Sequence, residues 1–348
     1  MTRHPPLTIS PAETVGDPPL TLWRRYLFHE NPPVDGGEVD RLSRLFRRYV
    51  TSYPFVAWRP GGVITDEMHR QTEALLPLSE VIPPIRRVVD ALLTPPTDGF
   101  ATILTAASSW LSVCQRLESW RVDPSAIISP LLRDPRHAMA FLSRWYIPRR
   151  HGGSPGRYPG QLRFIHRWLS RREGEIALLD AACGTGEGVY DLAAAARDAG
   201  IPPEQVTIVG ETLAAVEVIS AASGVIVHDP ERTSAFSRVR GELEGCGLLE
   251  RILFSQHDIR EEGGGGYDLI ICNGLIGGPL LHHPDHVARL VGVLSRRLKP
   301  GGLLLAADRF HGGWHRRIAP SFLVGVMKGA GLSPFDPGEG IGGVTSSG

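Results

Sequence analysis

The chain has 348 residues, 42% of them apolar, which suits two domains with cores of their own better than one. Its 37 basic and 37 acidic residues balance, which leaves no global field to draw it to nucleic acid or an anionic membrane. Cys114, Cys183, Cys246 and Cys272 form no C-x-x-C pair and no stretch reaches the roughly 18 apolar residues of a membrane span; a reduced cytoplasmic protein with no structural zinc and no membrane insertion is expected.

Residues 1–20 hold five prolines and read as a loose arm. From 21 to 147 the pattern is helical: "LTLWRRYLFHE" and "EVDRLSRLFRRYV" carry apolar residues at three-to-four spacing, and Thr65 is an N-cap candidate ahead of Glu67 and Met68. Breaks are expected at the proline pairs 83–84 and 95–96 and at Pro124. The segment 148–161, "PRRHGGSPGRYPGQ", reads as a linker. From 162 to 348 apolar runs of strand length alternate with helical segments: strands at 176–181, 205–210, 251–255, 267–272 and 302–308, helices at 188–199, 212–222, 284–298 and 320–330. The expected class is α/β, a doubly wound Rossmann-like sheet behind an α-helical N-terminal domain.

In such a sheet the ligand lies beyond the C-terminal ends of the strands. The turn after the first strand, "DAACGTGEG", places Gly184 and Gly186 where a backbone must approach a ligand, ahead of a helix N-terminus. Val189 stands where a G-x-G-x-x-G motif needs its third glycine, and the lysine of a P-loop is missing. Asp180, ahead of the turn, would repel a pyrophosphate and attract an ammonium group, which favours S-adenosylmethionine over a dinucleotide. Ala182 and Glu187 flank the same turn. Glu211, followed by Thr212, ends the second strand, where an acid can accept from both ribose hydroxyls. Asp258 after the third strand suits an adenine amino group, with Ile259 packing on the ring, and Asn273 ends the fourth strand beside the first turn.

The glycine turn, the Glu211 and Asp258 strand ends and "LKPGG" together resemble the class I S-adenosylmethionine-dependent methyltransferases over residues 165–345, with Ala182 where that family usually has glycine. Within it, "GTGEGVYDLA", "YDLIICNGLI" and "SPLLRDPRHAMAFL" are most similar to the CheR family, which methylates glutamates of chemotaxis receptors. That resemblance implies that Arg133 reaches the donor's carboxylate, that Ser129 stands for the family's threonine, and that 223–250 is the place for a receptor-binding β-subdomain. It implies a protein carboxylate as acceptor; the C-terminal "FLVGVMKGAGLSPFD" is more similar to small-molecule O- or N-methyltransferases, whose helical half would form a lid. A third reading is a non-catalytic nucleotide-binding module.

A carboxylate acceptor is anionic at neutral pH and needs no base, whereas a hydroxyl or amine usually does; His282, His283, Asp308 and His311 are the candidates. The cluster "LLHHPDH" straddles a helix start and reads as a solvated face more readily than as a metal site. Cys183 reads as packing, Trp314 as either pocket or sheet edge, and the arginine-rich helices as solvated faces or an electrostatic face for a partner protein.

Overall fold

The computed structural model describes residues 7–30, 36–53, 63–93, 107, 109–117, 122–147, 155–278, 281–308 and 318–346. Part of the expected arm and linker, the 95–96 break, His311 and Trp314 lie outside the described residues. The chain forms two compact units, Asp17–His151 with Val227–Asp229, and Met1–Gly16 with Gly152–Ile226 and Pro230–Gly348.

The first unit is helical: α1 (Pro19–Tyr26), α2 (Gly36–Ser52), α3 (Asp66–Leu75), α4 (Leu78–Leu92), α5 (Trp110–Leu117), α6 (Pro124–Ile128) and α7 (Pro135–Tyr146). Among its described residues the only strand-like pairing is a bridge between Phe28 and Leu93. Thr65 caps α3 through the Met68 N–H (3.2 Å). The expected break at Pro83 and Pro84 does not occur, for α4 runs through both. The two prolines forfeit helical hydrogen bonds, and the buried stripe of Val81, Pro84, Ile85, Val88, Val89 and Leu92 holds the helix nonetheless. Trp23, Tyr49, Trp110 and Trp145 are fully buried. The polar ends of two of them are satisfied: Tyr49 pairs with the Thr72 hydroxyl (2.7 Å) and the Trp110 indole donates to the Leu76 carbonyl (2.7 Å).

The second unit carries β1 (Thr8–Ile9), α8 (Pro159–Leu169), β2 (Ile176–Asp180), α9 (Glu187–Asp198), β3 (Val206–Thr212), α10 (Ala215–Ser223), α11 (Pro230–Gly245), β4 (Ile252–Gln256), β5 (Tyr267–Ile271), α12 (Pro284–Arg296), β6 (Leu298–Ala306), α13 (Pro320–Gly329), β7 (Leu332–Phe335) and β8 (Ile341–Thr345). One sheet of order β1-β4-β3-β2-β5-β6-β8-β7 results. Strands β2 to β6 run parallel, and β8 is antiparallel to both β6 and β7. The α/β doubly wound Rossmann-like class therefore holds, while the antiparallel β7–β8 hairpin departs from the six parallel strands of a dinucleotide-binding sheet. The strand order reverses at β2, whose neighbours are β3 on one side and β5 on the other. Apolar residues of β2, β5 and β6 pack under α12 and α13 in a core that includes Leu179, Ile270, Leu304, Leu290, Leu294 and Met327.

Three features differ from expectation. Residues 7–16 are not loose. Thr8–Ile9 pairs with β4, and the Thr14 hydroxyl donates to the carbonyls of Pro11 (2.7 Å) and Ala222 (3.0 Å). The segment 223–250 is helical, carrying α11 and no strand. The glycine-rich C-terminus forms β8, where a Cβ at Gly342 would lie 2.5 Å from the Phe335 ring, so glycine lets the last two strands close on each other.

Candidate functional site

β2 delivers Asp180 to the C-terminal edge of the sheet at the reversal point. Beyond it the backbone is pinned on both sides: Ala181 N–H bonds the Ile271 carbonyl and Cys183 N–H the Glu211 carbonyl (both 2.9 Å). A turn then closes from Gly186 N–H to the Cys183 carbonyl (2.8 Å), and α9 starts. The two glycines of the motif do different work. Gly184 (φ 51°) faces open space, with nothing within 4 Å of where a Cβ would stand. At Gly186 (φ 94°) a Cβ would meet the Ala221 methyl and the Phe254 ring at 3.0 Å, so that glycine serves packing.

Asp180 is 4% exposed, and its Oδ1 accepts from the Ala182 N–H (3.3 Å). Its Oδ2 lies against the first turn of α9, where a Cβ on Gly188 would collide with it. Burial pushes its carboxyl up to about 7, with the charges of Glu187 and Asp191 adding and the Ala182 N–H opposing. Asp191, bonded by the Gly156 N–H, is likewise pushed up to about 7 by burial.

The other three acids read from the sequence are each bound by an arginine. Glu187, the first residue of α9, accepts from the Thr185 hydroxyl (2.7 Å) and from Arg232 of α11, whose guanidinium also reaches Thr185. Glu211 accepts Arg297 with both oxygens, at 2.7 and 2.6 Å. Arg297 is itself 1% exposed, donates to the Gly264 carbonyl (2.7 Å) and stacks over Tyr267. Asp258 is chelated by Arg260, which holds its carboxyl below the usual range. Thr212 bonds the Glu217 carboxylate.

Ile259 is buried in the core under α12, and Ala182 packs against the same core. Asn273, two residues beyond β5, forms a reciprocal amide pair with Gln161 of α8: its Nδ2 donates to Gln161 Oε1 (2.7 Å) and Gln161 Nε2 donates to its Oδ1 (3.2 Å). The same Oδ1 accepts the Ala307 N–H (2.9 Å). Arg133 belongs to the helical unit, where it follows the turn Ser129–Leu132 with its side chain exposed.

The structure thus gathers Asp180, Ala182, Gly184, Gly186, Glu187, Glu211 and Asn273 around the tips of β2, β3 and β5. Sequence reasoning missed Gln161, Arg232 and Arg297. Each left a trace, since each falls in step with buried residues: 161, 165 and 169; 232, 236 and 243; 290, 294 and 297. Of the candidate bases, His282 and His283 are exposed and Asp308 is buried. Burial drives the Cys183 thiol well above its usual range, away from nucleophilic use. Among the described residues no group of three or more His, Cys, Asp or Glu could hold a metal ion, and no helix is long and apolar enough to cross a membrane.

Neither a protein-family model nor a curated protein matches the chain. Solved structures that resemble it include the StiE O-MT fragment, at 19% identity over 50% of this chain and 52% of that one, TM-score 0.33. The sugar N-methyltransferase KedS8 from Streptoalloteichus sp ATCC 53650 matches at 16% identity over 55% and 90%, TM-score 0.36. An S-adenosylmethionine-dependent methyltransferase from Clostridium acetobutylicum ATCC 824 matches at 14% over 55% and 92%, TM-score 0.38. The chain spans about half the length of the first of these. At these scores the likenesses carry no argument, and the functional reading rests on the strand order and the residues at the strand tips.

Proposed function

We propose that this chain is a class I S-adenosylmethionine-dependent methyltransferase. One observation carries the reading. Of the four acids read from the sequence as donor contacts, Glu187, Glu211 and Asp258 have arginine partners, and among the described residues Asp180 has the Ala182 N–H in place of a cation. A buried carboxyl without a cation, at the crevice where the strand order reverses, suits a ligand that brings an ammonium group. Gly184 supplies open space and α9 its N-terminal N–H groups. A pyrophosphate at the same place would face Asp180. Residues and group therefore fit.

S-adenosylmethionine supplies, when bound, a methyl group on a sulfonium. The residues' part is to hold and align: Asp180 the ammonium, the turn at Gly184 the backbone of the methionine portion, Asn273 the far wall of the crevice. Alignment of two reactants contributes of order 7–11 kcal/mol at most. Glu211 keeps the ribose assignment through the lone pairs that Arg297 leaves unused, and Asp258 and Ile259 the adenine assignment.

The CheR resemblance makes a protein carboxylate the first acceptor to try. The helical 223–250 segment, without strands for a receptor-binding β-subdomain, favours a small-molecule acceptor as the second. Calorimetry with S-adenosylmethionine and NAD tests the donor: binding of the first, weakened about tenfold or more (about 1.4 kcal/mol) by Asp180→Ala, is expected. Binding of NAD alone would overturn the assignment. Incubation with radiolabelled donor and lysate, separated into protein and small-molecule fractions, then sorts the acceptors.

A further inference from the structure

The Asn273–Gln161 pair carries information about the acceptor. An asparagine amide offers two N–H donors and two oxygen lone pairs, and its orientation is read from its partners. Here a backbone group fixes it. Ala307 N–H can only donate, so the atom it meets is the oxygen of Asn273. Gln161 Nε2 fills the second lone pair of the same oxygen. The nitrogen then faces Gln161 Oε1 with one of its two protons. Among the described residues the oxygen is fully occupied, and one N–H has no acceptor.

The amide is held firmly. Gln161 is 1% exposed and sits in step with Ile165 and Leu169 on the buried face of α8. The start of that helix is tied by the Gly160 N–H to Glu339 Oε2 (2.9 Å). Asn273 stands in the crevice beside the glycine turn, because β5 adjoins β2 with Ile271 opposite Asp180.

We infer that the methyl acceptor is an oxygen group, held by the spare Asn273 N–H, and not an amine. The inference rests on the donor proposed above. A hydroxyl or carboxylate oxygen accepts the N–H with one lone pair and keeps others for attack. An amine nitrogen has a single lone pair. At Asn273 it would spend that pair on the N–H, and its own N–H groups would find an oxygen with no capacity left. In the transfer, an oxygen lone pair forms the new C–O bond while the S–CH3 bond breaks, its electrons returning to sulfur as a neutral thioether. A carboxylate releases no proton; a hydroxyl releases one to water. Gln161 acts through Asn273 and is a positioning residue.

Two measurements on the full chain test this. The first needs no acceptor: in side-chain amide NMR, the Asn273 proton pair, identified by its loss in Asn273→Asp, should show one protected and one readily exchanging proton. Gln161→Leu should remove the protection and Gln161→Glu, which still accepts from Nδ2, should keep it. Two protected protons, or none, overturn the inference. The second uses donor carrying a carbon-13 methyl group with a lysate, and reads the product's methyl carbon as O- or N-bound. An O-methyl product is expected, with Asn273→Asp cutting turnover more than tenfold. An N-methyl product overturns the inference and leaves the donor assignment standing. Failure of the wild-type chain to bind donor defeats the proposed function itself, separately from the amide measurement.

Discussion

Asp180→Asn separates the two consequences of a buried, cation-free carboxyl. In the folded chain burial lifts Asp180 from 3.8 to about 7. A carboxyl whose folded pKa is raised contributes stability that is fully present below the unfolded value and is lost as pH rises through the folded one. Over the three or so units between, at 1.36 kcal/mol per unit, the folded state loses about 4 kcal/mol. Asparagine keeps the shape and the oxygen that accepts from Ala182 N–H, and does not ionise. Asp180→Asn should therefore match the wild type near pH 4 and exceed its stability by up to about 4 kcal/mol at pH 8 in denaturant unfolding. Because Asp191 titrates over the same window, the variant should keep about half of the wild-type pH slope. Donor binding should respond in the opposite sense. An ammonium needs the ionised form, which rises about eightfold between pH 6 and pH 7.5, while an α-amino group of ordinary pKa stays mostly charged. Affinity by calorimetry should rise accordingly in the wild type and stay low and flat in the variant. Equal pH slopes in unfolding, together with wild-type affinity flat from pH 6 to 7.5, would refute the reasoning.

The two motif glycines should fail differently. Gly184→Ala puts a methyl into open space at φ 51°, so it should cost about 1–2 kcal/mol of stability and a larger share of donor affinity. Gly186→Ala, at φ 94° with the Phe254 ring and Ala221 in the way, should lower the melting temperature more; identical profiles for the two would remove the distinction. Arg232→Met leaves Glu187 as an uncompensated buried charge and should cost about 3–5 kcal/mol in denaturant unfolding. Most of that should return in the double variant Arg232→Met/Glu187→Gln, and no recovery would mean that Arg232 acts through packing.

The central strands were legible because a parallel strand buried on both faces reads as an unbroken apolar run, as in "IALLD" and "YDLII". β7 and β8 were not, because "IGGVT" trades side chains for the close approach of Phe335, and a strand without side chains has no period to read. α11 escaped for a related reason: only Arg232, Phe236 and Leu243 of its sixteen residues are buried, too few to mark a face. α4 shows the opposite error. Its proline pair looked like a boundary, and tertiary burial of the surrounding stripe overrode the local preference.

At the site, the acids were legible and their partners were not. A carboxylate at a strand tip looks like a ligand contact because it is polar where the fold opens to solvent. Whether it is spoken for depends on side chains 45 positions away in sequence at Glu187–Arg232, 86 at Glu211–Arg297 and 2 at Asp258–Arg260, and on which way those helices face. An arginine or glutamine in step with a buried stripe is the recoverable signal, since such a group must find a partner inside. Applied to α8, α11 and α12, that rule points to Gln161, Arg232 and Arg297 from sequence alone. It also changes what the tips say about their ligand. Three carboxylates already neutralised by arginine contribute little net charge to the strand tips, and Asp180, once ionised above about pH 7, is the one of those four acids with no cation beside it among the described residues. A single buried charge of that kind discriminates by sign more sharply than three solvated ones would, because in the low dielectric of the turn an anionic group opposite Asp180 has no counter-charge to soften the repulsion.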